Sequence, residues 1–152
     1  MGPRPPLSLK GRALRLLSGR EYARAELERK LAPHEEAPGQ LRRVLDDLQA
    51  KGFIDDQRAA DSVVHRRSGK LGAMRIRQEL QGKGLAEDLV RQAVAGLQAT
   101  EFERACEIWE RRFGEPAADA AARAKQVRFL VSRGFSGEVV ARVLKRARVA
   151  VD

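Results

Sequence analysis

Leu48–Gly84 reads LQAKGFIDDQRAADSVVHRRSGKLGAMRIRQELQGKG, and it opens and closes on the same phrase. Leu48-Gln49-Ala50-Lys51-Gly52 returns as Leu80-Gln81-Gly82-Lys83-Gly84: a leucine, then a basic residue and a glycine that stops a helix. The phrase comes back, altered, as Leu130-Val131-Ser132-Arg133-Gly134. A helix stop used three times in a short chain points to a helical unit used several times.

Working outward, Leu41, Val44, Leu45 and Leu48 recur at the helical spacing i, i+3, i+4, i+7, so a helix is expected over about 40–51. Asp55 or Asp56 then caps a helix with Ala59, Ala60, Val63 and Val64 inward. Further helices are expected to 83, with Ile76 and Leu80 inward, and over about 87–97, with Leu89, Val90, Ala93 and Val94. Upstream, a helix over about 9–17 is followed by Ser18-Gly19-Arg20-Glu21, which has the S-x-x-E form of a capping box and predicts a second helix to Leu31. Residues 32–39 hold two prolines and a glycine, and break the pattern. Downstream, Phe102, Ala105, Cys106, Trp109 and Phe113 line a seventh helix, and two more are expected over about 118–133 and 137–147.

At an offset of about 50, Leu80 meets Leu130, Gly84 meets Gly134, Leu85 meets Phe135 and Val90 meets Val140. The first unit joins if the proline loop is an insertion, so that Leu27 meets Leu80, Leu41 meets Val90 and Leu48 meets Leu97. The expected fold is all-α: three tandem three-helix repeats forming an elongated, curved body. The units span 9–54, 55–98 and 99–148, behind a disordered tail at 1–8.

The chain carries 30 Lys+Arg against 21 Asp+Glu, a net +9, which favours an anionic partner. The excess is uneven: 1–34, 62–84 and 123–151 are basic, whereas 35–61 and 85–122 are net acidic. Arg66, Arg67, Lys70, Arg75 and Arg77 gather around one turn. Lys125, Arg128, Arg133, Arg142, Lys145 and Arg146 fill the last unit. These are the candidate binding residues, set against the plainer reading that they are solvated faces. Aromatics are scarce in these stretches, which argues against stacking on single-stranded bases.

No catalytic constellation is present. His34 and His65 lack metal-ligand spacing, and no phosphate loop precedes a Lys-Ser/Thr pair. Asp46-Asp47 and Asp55-Asp56 are read as capping and solvation, and Glu79 with Lys83 as a helix-surface pair. Neither a cofactor nor a metal is expected. The one cysteine, Cys106, fits a reducing compartment and a buried, inert thiol. With no signal peptide or membrane span visible, a cytoplasmic location is expected.

The run Gly52-Phe53-Ile54-Asp55-Asp56, the helix ending in Arg66-Arg67, and Gly72-x-x-x-Ile76-x-x-Glu79-Leu80-x-x-Lys83-Gly84 together resemble the RecX family of bacterial recombination regulators. The order of parts agrees from Ala13 to about Leu144. Ala59-Ala60 departs from it, standing where the family pattern has a Phe-Ala pair. The resemblance implies a non-enzymatic modulator that associates with the RecA recombinase filament on DNA, lies in its helical groove and damps its activities. The alternative is a helical module binding DNA directly, without reading sequence; the chain contains no asparagine for base readout. Monomer is the expected state.

Overall fold

The computed structural model describes residues 2–3 and 5–151, the Val151 side chain excepted. Of the tail expected at 1–8, Met1 and Arg4 lie outside the described residues. Among the described residues there are nine α-helices, one 3-10 turn at Ala32–His34 and no strand. The first unit holds α1 (Leu9–Gly19), α2 (Arg24–Leu31) and α3 (Gln40–Ala50); the second holds α4 (Asp56–Arg67), α5 (Ala73–Gly82) and α6 (Glu87–Gln98). The third holds α7 (Glu101–Arg112), α8 (Ala120–Ser132) and α9 (Gly137–Val151).

Each unit has its own core, drawn from its helices and the turns after them, and the second also takes in Ala23 of the first. Leu27, Leu31, Leu45, Leu48 and Ile54 fill the first. Ala60, Val63, Ile76, Leu80 and Val90 fill the second, and Trp109, Leu130, Phe135, Val140 and Val143 the third. Each of the Leu, Ile, Val and Phe side chains among them contributes about 1.5–3 kcal/mol on leaving water. Three small cores in chain order, rather than one large one, make the body elongated. Ala59 and Ala60, small where an aromatic was expected first, are both buried, whereas Phe53 is 48% exposed.

The three helix stops share one conformation but not one place in the unit. Gly52, Gly84 and Gly134 all have positive φ, at 82°, 76° and 100°. At Gly52 and Gly134 the chain folds back, the Phe53 N–H donating to the Leu48 carbonyl at 2.9 Å and the Phe135 N–H to that of Leu130 at 3.2 Å. Gly84 and Gly134 end the middle helices α5 and α8, but Gly52 ends α3. The register of the first unit changes accordingly. Leu27 and Ile76 each stand four residues after an N-cap, at Ala23 and Gly72. Leu27 therefore matches Ile76, and Leu31 matches Leu80. The offset then runs unbroken through Leu41 and Val90, so the proline loop is no insertion.

Two of those N-caps are chemically empty. Neither Ala23 nor Gly72 has a side chain that can accept from the first free N–H groups of its helix. The acceptor comes from the next unit. Asp56, the first residue of α4, accepts from the Arg24 N–H of α2 at 2.9 Å. Glu101, the first residue of α7, accepts from the Ala73 N–H of α5 at 2.9 Å and is only 8% exposed. In the third unit α8 caps itself: Asp119 accepts from the Ala122 N–H at 2.8 Å. Asp55 is left to cap α4, accepting from Arg58 N–H at 3.0 Å.

The capping box expected at Ser18–Glu21 does not form. α1 continues to Gly19, and the Ser18 hydroxyl donates to the Arg15 carbonyl at 2.7 Å. Buried Tyr22 and Ala23 follow before α2 starts at Arg24. Glu26 makes the reciprocal bond instead, accepting from the Ala23 N–H at 3.0 Å, while Glu21 pairs with Arg58 of the second unit at 2.6 Å.

The middle helices are strung end to end. The end of α5 meets α2, where Arg29 donates to the Gly82 carbonyl at 2.8 Å and Lys83 pairs with Glu26 at 3.3 Å. The end of α8 meets the start of α5: the Gly72 N–H donates to the Arg133 carbonyl at 2.7 Å, the Met74 N–H to that of Gly134 at 3.1 Å, and Arg75 to that of Ser132 at 2.7 Å. A Cβ on Gly134 would lie 2.6 Å from the Arg75 backbone nitrogen, and one on Gly72 would strike the Gly134 carbonyl. The expected Glu79–Lys83 pair is thus replaced by contacts to other helices, Glu79 bonding Arg67 at 3.1 Å and Lys83 bonding Glu26.

Gly134→Ala combines a left-handed backbone with a backbone collision and should lower stability by about 2 kcal/mol or more in chemical denaturation. Gly69→Ala, where an added Cβ meets nothing within 4 Å, should change it far less. Burial opposes ionisation of Glu26, but bonds from Arg20, the Ala23 N–H and Lys83 outweigh it and hold its carboxyl below the usual range. Its stabilisation is therefore full above the ordinary carboxylate pKa and lost as pH falls through the lowered value. Glu26→Gln should accordingly flatten the fall of Tm between neutral and acid pH relative to the parent chain.

Candidate functional site

The two basic clusters meet different fates. In the middle one, Arg67 is bound to Glu79, Arg77 to Glu87 at 3.2 Å, and Arg75 to the Ser132 carbonyl. Those three side chains hold units and helices together. Arg66 and Lys70, both exposed, have no ion-pair partner among the described residues.

In the last unit the exposed Lys125, Arg128 and Lys145 are likewise unpaired among the described residues. Arg133 lies over the Phe129 ring, 4.8 Å from its centre. Arg142 and Arg146 flank the Phe102 ring at 4.3 and 5.5 Å, an attraction that holds both guanidinium groups against α7. Arg146 also pairs with Glu103 at 3.2 Å. The structure thus gathers Arg142, Lys145 and Arg146 along α9, and Lys125, Arg128 and Arg133 along α8. The α9 charges have no counterpart in α6, whose basic residue is Arg91 alone.

Charge patterning by segment missed the acidic edge of α7. Glu103, Glu107 and Glu110, spaced four and three apart, rim a groove of about 640 Å³ between α7 and α9, floored by Trp109, Val143 and Ala147. Cys106 lines the same groove; burial pushes its thiol pKa up, against the opposing pull of Arg146. Sequence reading also missed Arg104. Largely buried, it pairs with Glu101 and donates to the Ser68 and Leu71 carbonyls at 2.8 Å each, tying α7 to the turn between α4 and α5. Its identity gave no signal, because it sits among the seven charged residues of α7.

Among the described residues no group of three or more His, Cys, Asp or Glu is placed to hold a metal, and no helix is long and apolar enough to cross a membrane.

Fold and surface together define a tandem helical-repeat protein whose last two helices, α8 and α9, carry a single acidic residue, Glu138, among their cations. Family models described as the second and third three-helix domains of RecX match residues 55–94 and 99–144. Regulatory protein RecX of Leptothrix cholodnii is 57% identical, over 95% of this chain and 92% of its own length. That of Ralstonia nicotianae is 51% identical over 99% and 94%. The crystal structure of RecX from Lactobacillus salivarius has the same fold, with a TM-score of 0.78, 19% identity, and coverage of 93% of this chain and 95% of that one. The chain belongs to the RecX family of regulatory proteins.

With its thiol pKa raised and its sulfur half-buried, Cys106 should react with iodoacetamide at neutral pH at least about tenfold more slowly than in the denatured chain.

Proposed function

We infer that this protein binds the filament formed by the RecA recombinase on DNA and limits its activity: growth, ATP hydrolysis, strand exchange and co-protease function. It acts without catalysis of its own, in the cytoplasm, as a monomer. Membership of a family of regulators named RecX is the observation that carries the reading. The geometry suits it. Three units joined in series, by a backbone seam between the second and third and by side-chain bridges between the first and second, make a body able to span several protomers of a helical filament. The basic α8 and α9 would give it one face for an anionic surface such as DNA, beside the glutamate edge of α7.

A second reading, direct and sequence-independent binding to DNA, is favoured by the unpaired Lys125, Arg128 and Lys145. Such binding weakens with salt by about 0.7 to 0.9 log units per log unit for each phosphate neutralised.

RecA's ATP hydrolysis on single-stranded DNA separates the two. Filament regulation predicts loss of activity when this protein is well below the RecA concentration, persisting at salt that abolishes its own DNA binding. Inhibition that begins only when the protein is abundant enough to coat the DNA would reject it in favour of the second reading.

A further inference from the structure

Each junction between units is made by a helix whose first residue is acidic, seated at the N-terminus of the preceding unit's middle helix. On the second unit the occupant is α7. Glu101 takes the Ala73 N–H, and Arg104 takes the carbonyls of Ser68, Leu71 and Leu97. Moving from the second unit to the third by the repeat offset of 50, the positions of Ser68, Ala73 and Leu97 become Ala118, Arg123 and Ala147. All three line one cleft of about 650 Å³ between the start of α8 and the face of α9. It corresponds in the repeat to the seat that α7 fills on the second unit, except that α8 begins one turn earlier than α5 and its Arg123 N–H is already bound to the Asp119 carbonyl at 3.0 Å.

The open position differs from the filled ones in charge. Where the second unit has Ala73, Ala95 and Gln98, the third has Arg123, Lys145 and Arg148, and all three reach this cleft. The one carboxylate lining it, Asp119, is already held by the Ala122 N–H. None of the three cations has an ion-pair partner among the described residues.

We propose that this cleft docks a helix of a protein partner that carries carboxylates in its first turn, held by the three cations where free N–H groups hold α4 and α7 on the first and second units. Two observations favour that occupant. Both filled junctions use it, and the cations gather where its carboxylate would fall. A second copy stacked in the same tandem sense does not fit, because α1, the helix it would seat, has no acidic residue in its first turn and starts Leu9-Lys10. Nucleic acid would find the cations too, but no aromatic side chain lines the cleft to stack a base. The proposal rests on the reading of this protein as one that works through protein contacts, and it adds where one contact is made.

The test uses the full chain and two labelled helical peptides of equal composition, one with glutamates in its first turn and one with them in its last. The first-turn peptide should bind by fluorescence anisotropy. Arg123→Gln with Arg148→Gln should weaken it at least about tenfold. Ala141→Leu, which fills the cleft without changing charge, should weaken it too, whereas Arg12→Gln with Arg15→Gln on α1 should not. Circular dichroism and Tm establish that each variant is folded.

Absence of binding, equal binding of the two peptides, or equal loss in the α1 variant would overturn the proposal in favour of general charge attraction. So would a single-stranded oligonucleotide that displaces the peptide and loses affinity as much in the cleft variants, which would make the cleft a nucleic-acid site. RecA is absent from these measurements. Failure here with RecA inhibition intact sinks only the docking site, and failure of RecA inhibition with peptide docking intact sinks only the filament reading.

Discussion

The N-terminus of a helix leaves backbone N–H groups without partners, and much of this molecule is arranged around satisfying them at α2 and α5. Ala23 and Gly72 offer no acceptor, so Asp56 and Glu101 reach in from the next unit. The exchange welds unit to unit. It places the first turn of α4 and of α7, and it brings Arg104 into contact with three carbonyls of the preceding unit. A cap of this kind is worth about 0.5–2 kcal/mol, a sizeable share of the net stability of a small domain. A repeat that depends on its neighbour for a cap has a reason to remain in an array.

The Gly72–Gly134 contact sets the spacing of that array. Backbone meets backbone there, with the Gly72 N–H on the Arg133 carbonyl and no side chain between. Such a contact has little freedom to slide, so the relative orientation of the second and third units is fixed by peptide geometry. Between the first and second units the corresponding contact runs through the Ala25 side chain and two cationic side chains, Arg29 and Lys83. The two junctions therefore differ in stiffness: one is a backbone seam, the other a set of side-chain bridges partly open to water.

Much of the fold was legible in the sequence, because periodic apolar residues and glycine stops are local signals. Ile76, Leu80 and Val90 read as core and are core. The failures share one cause. Ser18–Glu21 had the local form of a cap, but the acceptor that caps α2 lies 32 residues away from Arg24, where no short pattern reaches it. The same holds for charge. Arg75 and Arg67 looked like parts of a binding surface, yet one is spent on the Ser132 carbonyl and the other on Glu79. Sequence shows which residues carry charge; folding decides which of them are already answered.

Capping from the following unit also gives the chain a direction in time. As it leaves the ribosome, α2 is complete in sequence well before Asp56 exists to close it, and α5 waits in the same way for Glu101. Of the three middle helices only α8 carries its own closing residue, Asp119. Each newly made unit thus finishes the one before it, and the nascent chain sets from its N-terminal side, one unit behind synthesis. A chain cut short after α6 would lose more than its third unit, since the second would be left with its middle helix open.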